Sequence, residues 1–240
     1  MSTRFYLQNG TIPDVTPLSW DASWNYQSAG GTWTYKAVTT AGTTAITYVD
    51  HANDATATAR FGSTLRFVTD PLAAQSLSGN ISGQMQCAEG GAANNATLAI
   101  AITVINSAGT QVATLLAVSA SDNTTTTPPE ISAVANVNRQ FQNSAEATSI
   151  ALTNHDCALD DRIVIEIGVR EVRASNGETL IFGDDAPLGD LPIDNTTTWD
   201  ETPENAYRPW VEFSNTITFA PTTTSVTNML SLLGVGRTFY

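Results

Sequence analysis

Alternation of apolar and polar residues is the feature of this sequence that most constrains its fold. Between Ile163 and Val169 every second residue is a branched aliphatic, with Glu166 among the residues between them. Side chains of a β-strand point alternately to opposite faces, so this pattern predicts a strand rather than a helix. The strand is predicted over Arg162–Val172, with the aliphatic residues on a buried face and Glu166 and Arg170 on the other.

The same pattern predicts further strands before and after this one. Leu98–Val104 and Val112–Val118 alternate on either side of the turn-forming residues Asn106–Gly109, which predicts a β-hairpin. A last core strand is predicted from Val211 to Phe219. Weaker segments are Leu65–Val68, Ile81–Cys87, Ile131–Val137, Ser149–Leu152 and Thr179–Phe182. A total of about eight strands indicates an all-β fold, an antiparallel β-sandwich of jelly-roll type.

The first quarter of the chain breaks this alternation. Residues 1–60 contain Trp20, Trp24 and Trp33 among several prolines and glycines. We therefore expect an extended N-terminal arm, residues 1–60, with these tryptophans as candidate interface residues. The sandwich domain is predicted over residues 61–220 and a C-terminal tail over residues 221–240.

The tail contains a short stripe of apolar residues at helical spacing. Val226, Met229, Leu230 and Leu233 follow one another at intervals of three, one and three residues. A helix this short is marginal alone, so it must dock on its own sandwich or on a neighbouring molecule, and both alternatives stay open. Further candidate interface residues in the tail are Met229, Leu230, Leu233, Phe239 and Tyr240.

Charge and hydropathy argue against several kinds of partner. The net charge is −13, from 23 acidic and 10 basic residues, and the basic residues form no stripe. Such a chain is poorly suited to bind nucleic acid or an anionic membrane surface. No run approaches the ~20 apolar residues of a membrane helix, and no signal peptide is apparent. We expect the chain to remain in the cytoplasm unless it leaves within a larger particle.

The residues that could act in catalysis or bind a metal are scattered along the sequence and form no known motif. Cys87 and Cys157 lack a metal-binding spacing and are interpreted as thiols rather than a disulfide. His51 and His155 are interpreted as exposed loop residues. A glycosidase needs only two carboxylates, but the candidates resemble ordinary solvated residues. Those candidates are Glu130, Glu166, Glu171, Asp184, Asp185 and Glu212. We therefore predict no catalytic residue.

Two binding hypotheses remain weaker than their structural alternatives. Aspartates in the loops at Asp160–Asp161, Asp184–Asp185 and Asp190–Asp194 could hold calcium, but aspartate also favours turns by capping backbone N–H groups. Trp199 could stack on a sugar ring, although tryptophan is more often buried or at a protein interface. We predict no metal and no cofactor, and we keep Trp199 as a candidate glycan-binding residue.

Several segments resemble a known family. They are R-F-Y-L at Arg4–Leu7, D-P-L-A-A-Q-S-L-S-G at Asp70–Gly79, D-R-I-V-I-E-I-G-V-R at Asp161–Arg170, F-G-D at Phe182–Asp184, L-P at Leu191–Pro192 and P-W-V-E-F-S at Pro209–Ser214. Together they resemble virion-associated structural proteins of tailed bacteriophages. The resemblance covers residues 1–219, and its motifs include no catalytic residue.

This resemblance implies a non-enzymatic role in a virus particle. The expected function is that of a head decoration or cement protein, assembled in the host cytoplasm and held in the virion by other virion proteins and by copies of itself. The alternative is a tail or fibre component with a glycan- or receptor-binding sandwich. A cement protein should bury most of its tryptophans in protein contacts, whereas a glycan-binding module should display aromatic residues around Trp199.

Overall fold

The computed structural model of this chain is built almost entirely of β-strands and their connections. It describes residues 1–8, 10–28, 32–41, 47–51, 60–89, 96–118, 131, 137–141, 149–171, 178–182 and 208–221. The predicted all-β class is confirmed. No helix within these ranges is long and apolar enough to cross a membrane.

Fifteen strands are present in the described residues, and most are short. They are β1 (Thr3–Tyr6), β2 (Tyr26–Gln27), β3 (Trp33–Lys36), β4 (Thr47–His51), β5 (Arg60–Val68), β6 (Gln75–Leu77), β7 (Asn80–Glu89), β8 (Thr97–Ile105), β9 (Gln111–Leu116), β10 (Val137–Gln140), β11 (Ile150–Ala151), β12 (His155–Cys157), β13 (Arg162–Glu171), β14 (Glu178–Phe182) and β15 (Trp210–Phe213).

The first sheet has seven strands and is centred on β7. Its main order is β1-β15-β7-β14-β4, and β10 and β11 also pair with β7. Gln84 on β7 is opposite both Trp210 of β15 and Gln140 of β10, so β15 and β10 flank β7 on opposite edges. All pairings in this sheet are antiparallel.

The second sheet has six strands, and β13 lies at its centre. Its order is β2-β5-β13-β8-β9, with β3 also paired to β5. The hairpin predicted from Leu98–Val104 and Val112–Val118 is confirmed as β8 and β9. The sheet differs from the purely antiparallel prediction, because β2 and β3 pair with β5 in parallel. A separate two-stranded sheet joins β6 to β12.

A single large apolar core contains residues from both main sheets. Phe5 and Phe213 of the first sheet and Leu65, Ile102 and Ile165 of the second are all buried in it. Phe5 and Phe213 meet edge to face, with their ring centroids 5.7 Å apart. This arrangement identifies the inner face of each sheet.

The described part of residues 1–60 is not an arm separate from the sandwich. β1 pairs with β15, and Phe5 and Leu7 are completely buried in the main core. The chain then crosses to the second sheet, where β2 and β3 pair with β5. Strands of only two to four residues are too short to show a two-residue period, which is why alternation failed to reveal them.

Several predictions fall on residues outside the described ranges. These include the predicted C-terminal helix, with Met229, Leu230, Leu233, Phe239 and Tyr240, and the candidate Trp199. Cys87 and Cys157 lie in the described part, where both are buried and neither forms a disulfide.

Candidate functional site

The outer face of the second sheet is covered by a segment from near the N-terminus. We call residues 18–28 the cover segment. Its Trp24 packs with Ala99 and Ala101 of β8, and Trp20 contacts the same cluster. All nine residues of β8 are consequently buried. The sequence predicted one buried face for these strands, whereas the structure buries both.

Glu166 lies at the centre of this covered face. Its position on β13 is opposite Arg66 of β5 and Ala101 of β8. The side chain is 1% exposed, which corrects the prediction that it lies on a solvated face. Its Oε2 accepts hydrogen bonds from the backbone N–H of Asp21 at 3.0 Å and from Nε1–H of Trp24 at 2.8 Å. Two groups of the cover segment are thus bonded to one carboxylate oxygen.

Arg66, on the neighbouring strand β5, also contacts the cover segment. Its guanidinium lies over the ring of Trp20, 4.6 Å from the ring centroid. Its Nη1 donates to the carbonyl oxygen of Ser19 and its Nε to Oγ1 of Thr34, both at 3.2 Å. A buried arginine beside a buried carboxylate reduces the cost of removing each charge from water. Arg66 therefore both fixes the cover segment and compensates Glu166.

Asp21 connects the cover segment to β9. Its carboxylate accepts hydrogen bonds from Oγ1–H of Thr114 at 2.7 Å, from Nε2–H of Gln111 at 2.9 Å and from the backbone N–H of Ser23 at 2.9 Å. The hydroxyl of Ser23 also donates to it. With this number of donors, the carboxylate is fully committed to contacts within the chain.

The two carboxyl groups have opposite pKa shifts. Burial raises the pKa of Glu166 to about 7, although the hydrogen bonds from Asp21 and Trp24 and the charge of Arg66 oppose the rise. Burial also acts to raise the pKa of Asp21, but the hydrogen bonds from Ser23, Thr114 and Gln111 outweigh it and leave that pKa below its ordinary value. Glu166 therefore changes its charge near neutral pH, whereas Asp21 remains ionised.

A pair of carboxyl groups with separated pKa values is one arrangement used in acid–base catalysis. Catalysis also requires that the substrate reach the groups. The cover segment lines a surface depression of about 530 Å³, with Trp20, Asp21 and Trp24 in its wall. Glu166 lies beneath that segment with its Oε2 bonded to protein donors. In this conformation the cluster anchors the cover segment to the sheet.

The three predicted interface tryptophans have different positions. Trp24 is 8% exposed and points inward, because Glu166 accepts its indole N–H. Trp20 and Trp33 are partly buried, Trp33 against the main core. Large exposed apolar side chains occur instead at Ile12 and Leu18. Neither residue was predicted from the sequence. Each lies next to a proline in a non-alternating segment, which is typical of an exposed extended chain.

A second cluster of polar side chains lies at the end of β12. It contains His155, Cys157 and Asp161, whose potential ligand atoms are all within 4.8 Å of one another. His155 belongs to a strand, not to the exposed loop predicted for it. Burial, followed by the charges of Asp161 and Asp156, raises the pKa of the Cys157 thiol to about 11. A thiol with such a pKa is not an activated nucleophile.

The comparisons with known proteins give only a distant likeness. No family model matches this chain, and no curated protein matches it. Among solved structures it is similar to a CocE/NonD family hydrolase from Staphylococcus aureus, with a TM-score of 0.42 and 7% sequence identity. The match covers 90% of this chain and 36% of the hydrolase, so the chain spans only a minor part of that protein's length. A likeness this distant carries no argument about activity.

Proposed function

We propose that this chain is a non-enzymatic structural protein of a tailed-phage particle, most specifically a head decoration or cement protein. It would stabilise the particle by contacts with other virion proteins and with copies of itself, after assembly in the host cytoplasm. The observation that carries this proposal is a firmly held segment, residues 10–19, that presents apolar side chains to solvent. The resemblance of residues 1–219 to phage virion proteins supports it.

Two side chains make this segment suited to binding another protein. Ile12 is 73% exposed and Leu18 is 74% exposed. The backbone beside them is fixed, because the N–H of Lys36 donates to the carbonyl of Thr11 at 2.8 Å and the N–H of Leu18 donates to the carbonyl of Gly109 at 2.9 Å. An apolar side chain on a fixed backbone loses little conformational entropy when a partner covers it.

The middle of the segment is attached to the second sheet. Val15 packs against a small buried cluster on the outer face of that sheet, formed by Val68, Ile105 and Val164. The segment is therefore held at its centre as well as near Ile12 and Leu18. Exposed apolar side chains on a fixed backbone favour a specific protein contact over non-specific association.

Three other properties agree with a structural role. The carboxylate of Glu166 is buried and bonded to protein donors, so no substrate reaches it in this conformation. Neither cysteine forms a disulfide, so the fold does not depend on an oxidising compartment. A net charge of −13 would keep coated particles apart in solution. We further propose that the two main sheets form a jelly roll, a fold that recurs in viral capsid proteins.

The contact can be tested by rebinding. Particles of the phage that encodes this chain, prepared without it, are mixed with the purified wild-type protein or with an I12S/L18S double variant. Leu159→Ser is the matched control, because Leu159 is also an exposed leucine but lies in the turn after β12. We expect the wild type and the control to bind, and the double variant to lose binding while melting at an unchanged temperature. Binding of the double variant at wild-type occupancy would contradict the proposed contact.

A further inference from the structure

The turn between β12 and β13 brings together three side chains that commonly bind metal ions. His155 is partly buried, while Cys157 and Asp161 are buried. Their potential ligand atoms, an imidazole nitrogen, a thiol sulfur and a carboxylate oxygen, all lie within 4.8 Å of one another. The cluster shares no residue with the group around Glu166 or with the exposed segment at residues 10–19.

The backbone accounts for this convergence. His155 and Cys157 are two residues apart on a strand, so their side chains lie on the same face. The chain then turns back at Asp160, which has a left-handed backbone with φ of 70°. The N–H of Asp161 donates to the carbonyl of Ala158 at 3.3 Å, and this closes the turn. Asp161 is thereby returned to the side of the strand that holds the other two residues.

The turn is also tied to a neighbouring loop. The N–H of Asp160 donates to the carbonyl of Leu72 at 3.0 Å, and the N–H of Leu72 donates to the carbonyl of Asp161 at 2.8 Å. Oδ2 of Asp161 accepts the N–H of Ala158 at 2.8 Å. That hydrogen bond orients the carboxylate and leaves its second oxygen as a possible ligand. A bonded partner of this kind is typical of carboxylates that bind metals.

We propose that His155, Cys157 and Asp161 bind one Zn²⁺ ion. Nitrogen, sulfur and oxygen ligands together suit this borderline ion better than they suit calcium or magnesium, which prefer oxygen alone. Tetrahedral zinc with bonds of about 2.0–2.3 Å places its ligand atoms roughly 3.5 Å apart. Because the ligand atoms already lie within 4.8 Å of one another, each pair needs to approach by at most about 1.3 Å.

Binding would convert the thiol to a thiolate and release its proton to the buffer. Water would occupy the fourth position. The ion would connect β12 to the start of β13, the central strand of the second sheet, and would therefore stabilise the fold. This inference does not depend on a role in a virus particle.

Cobalt provides the direct probe, because Co²⁺ bound to a thiolate absorbs in the near ultraviolet and tetrahedral Co²⁺ has strong visible bands. The intact protein is titrated with Co²⁺, and Zn²⁺ is then added to displace it. Zinc bound after dialysis is counted by elemental analysis, and the melting temperature is measured with and without zinc. The variants are Cys157→Ser and His155→Ala. Cys87→Ser is the matched control, because Cys87 is the other cysteine of the chain and is also buried.

We expect one zinc ion per chain. The near-ultraviolet absorption of thiolate-bound Co²⁺ should appear in the wild type and in Cys87→Ser and should be lost in Cys157→Ser. His155→Ala should weaken cobalt binding at least tenfold, as expected when a ligand is removed. Because His155 is only partly buried, this variant should fold even if Cys157→Ser does not. The proposed zinc site would be overturned if the wild type showed no thiolate–cobalt absorption. It would also be overturned if His155→Ala bound cobalt as tightly as the wild type.

Discussion

The indole Nε1–H of Trp24 donates a 2.8 Å hydrogen bond to the carboxylate of Glu166, a residue 142 positions later in the chain. This bond joins the cover segment to the central strand of the second sheet. Because Glu166 is buried, losing one of the two donors to its Oε2 should cost more than losing a donor at the surface, where water would replace it. The relationship also explains why Trp24 is not available at the surface as an interface residue.

Replacing Trp24 by phenylalanine should test this bond. The substitution keeps an aromatic ring but removes the donor to Glu166, so the free energy of unfolding should fall by about 2–3 kcal/mol in urea denaturation at neutral pH. Trp33→Phe is the control, since Trp33 packs partly buried against the main core. Equal losses in the two variants would indicate that only packing matters at Trp24.

Glu166 should make stability depend on pH. Its folded pKa of about 7 lies above the ordinary value of 4.5, so between these values the folded state holds a proton that the unfolded state has released. The resulting stabilisation is complete below pH 4.5 and is lost as the pH rises through 7. The free energy of unfolding should therefore fall by about 3 kcal/mol across this pH range.

A neutral replacement separates this effect from the rest of the protein. Glu166→Gln keeps an oxygen that can accept from Asp21 and Trp24 but cannot ionise, so its stability should be nearly constant over that pH range. Glu212→Gln, which removes a carboxylate from the surface ion pair with Arg4, is the control and should retain the wild-type profile. If Glu166→Gln kept the wild-type slope, the pH dependence would have another origin. Asp21 has a lowered pKa, so it affects the pH dependence of stability only at more acidic pH.

Ile165 tests the predicted centre of the core. It is fully buried on β13 between Phe67 of β5 and Ile102 of β8. Ile165→Ala should lower the free energy of unfolding by about 2–5 kcal/mol through the cavity it leaves. Val112→Ala, at an exposed position of β9, should change it by about 0.5 kcal/mol or less. A loss below about 1 kcal/mol at Ile165 would contradict its central position.

Gly168 should tolerate no side chain. The pairing of β13 with β5 shifts register between Ile167 and Gly168, and a Cβ at Gly168 would overlap the carbonyl oxygen of Gly62. Gly168→Ala must therefore separate the two strands or prevent folding. Gly10→Ala is the control, because its Cβ would meet only the carbonyl oxygen of Gln8, at 3.9 Å. Similar melting temperatures for the two variants would contradict this packing.

Local pattern predicted the longer strands and the turn between β8 and β9. The aliphatic residues from Ile163 to Val169 are buried as expected. The β8–β9 turn also forms as predicted: Oδ1 of Asn106 accepts the N–H groups of Ala108 and Thr110, and Gly109 has a positive φ of 81°. These features depend on short stretches of sequence, so their residue types are sufficient to indicate them.

Features that join distant segments could not be predicted in this way. The burial of Glu166 depends on residues 18–28, and nothing near Glu166 in the sequence signals that cover. The His155, Cys157 and Asp161 cluster arises from the left-handed turn at Asp160, and its spacing matches no standard metal-binding motif. In both cases the tertiary contact, not the local pattern, determines the environment of the side chain.

Quantitative mass spectrometry of purified phage particles tests the central claim most directly. Particles of the proposed phage are purified on a density gradient, and the amount of this chain is measured relative to the major capsid protein. A head decoration or cement protein should be present at a copy number comparable to that of the capsid protein, because it covers the capsid lattice. A small fraction of that number would favour the tail or fibre alternative, and absence of the chain from purified particles would contradict a structural role in the virion.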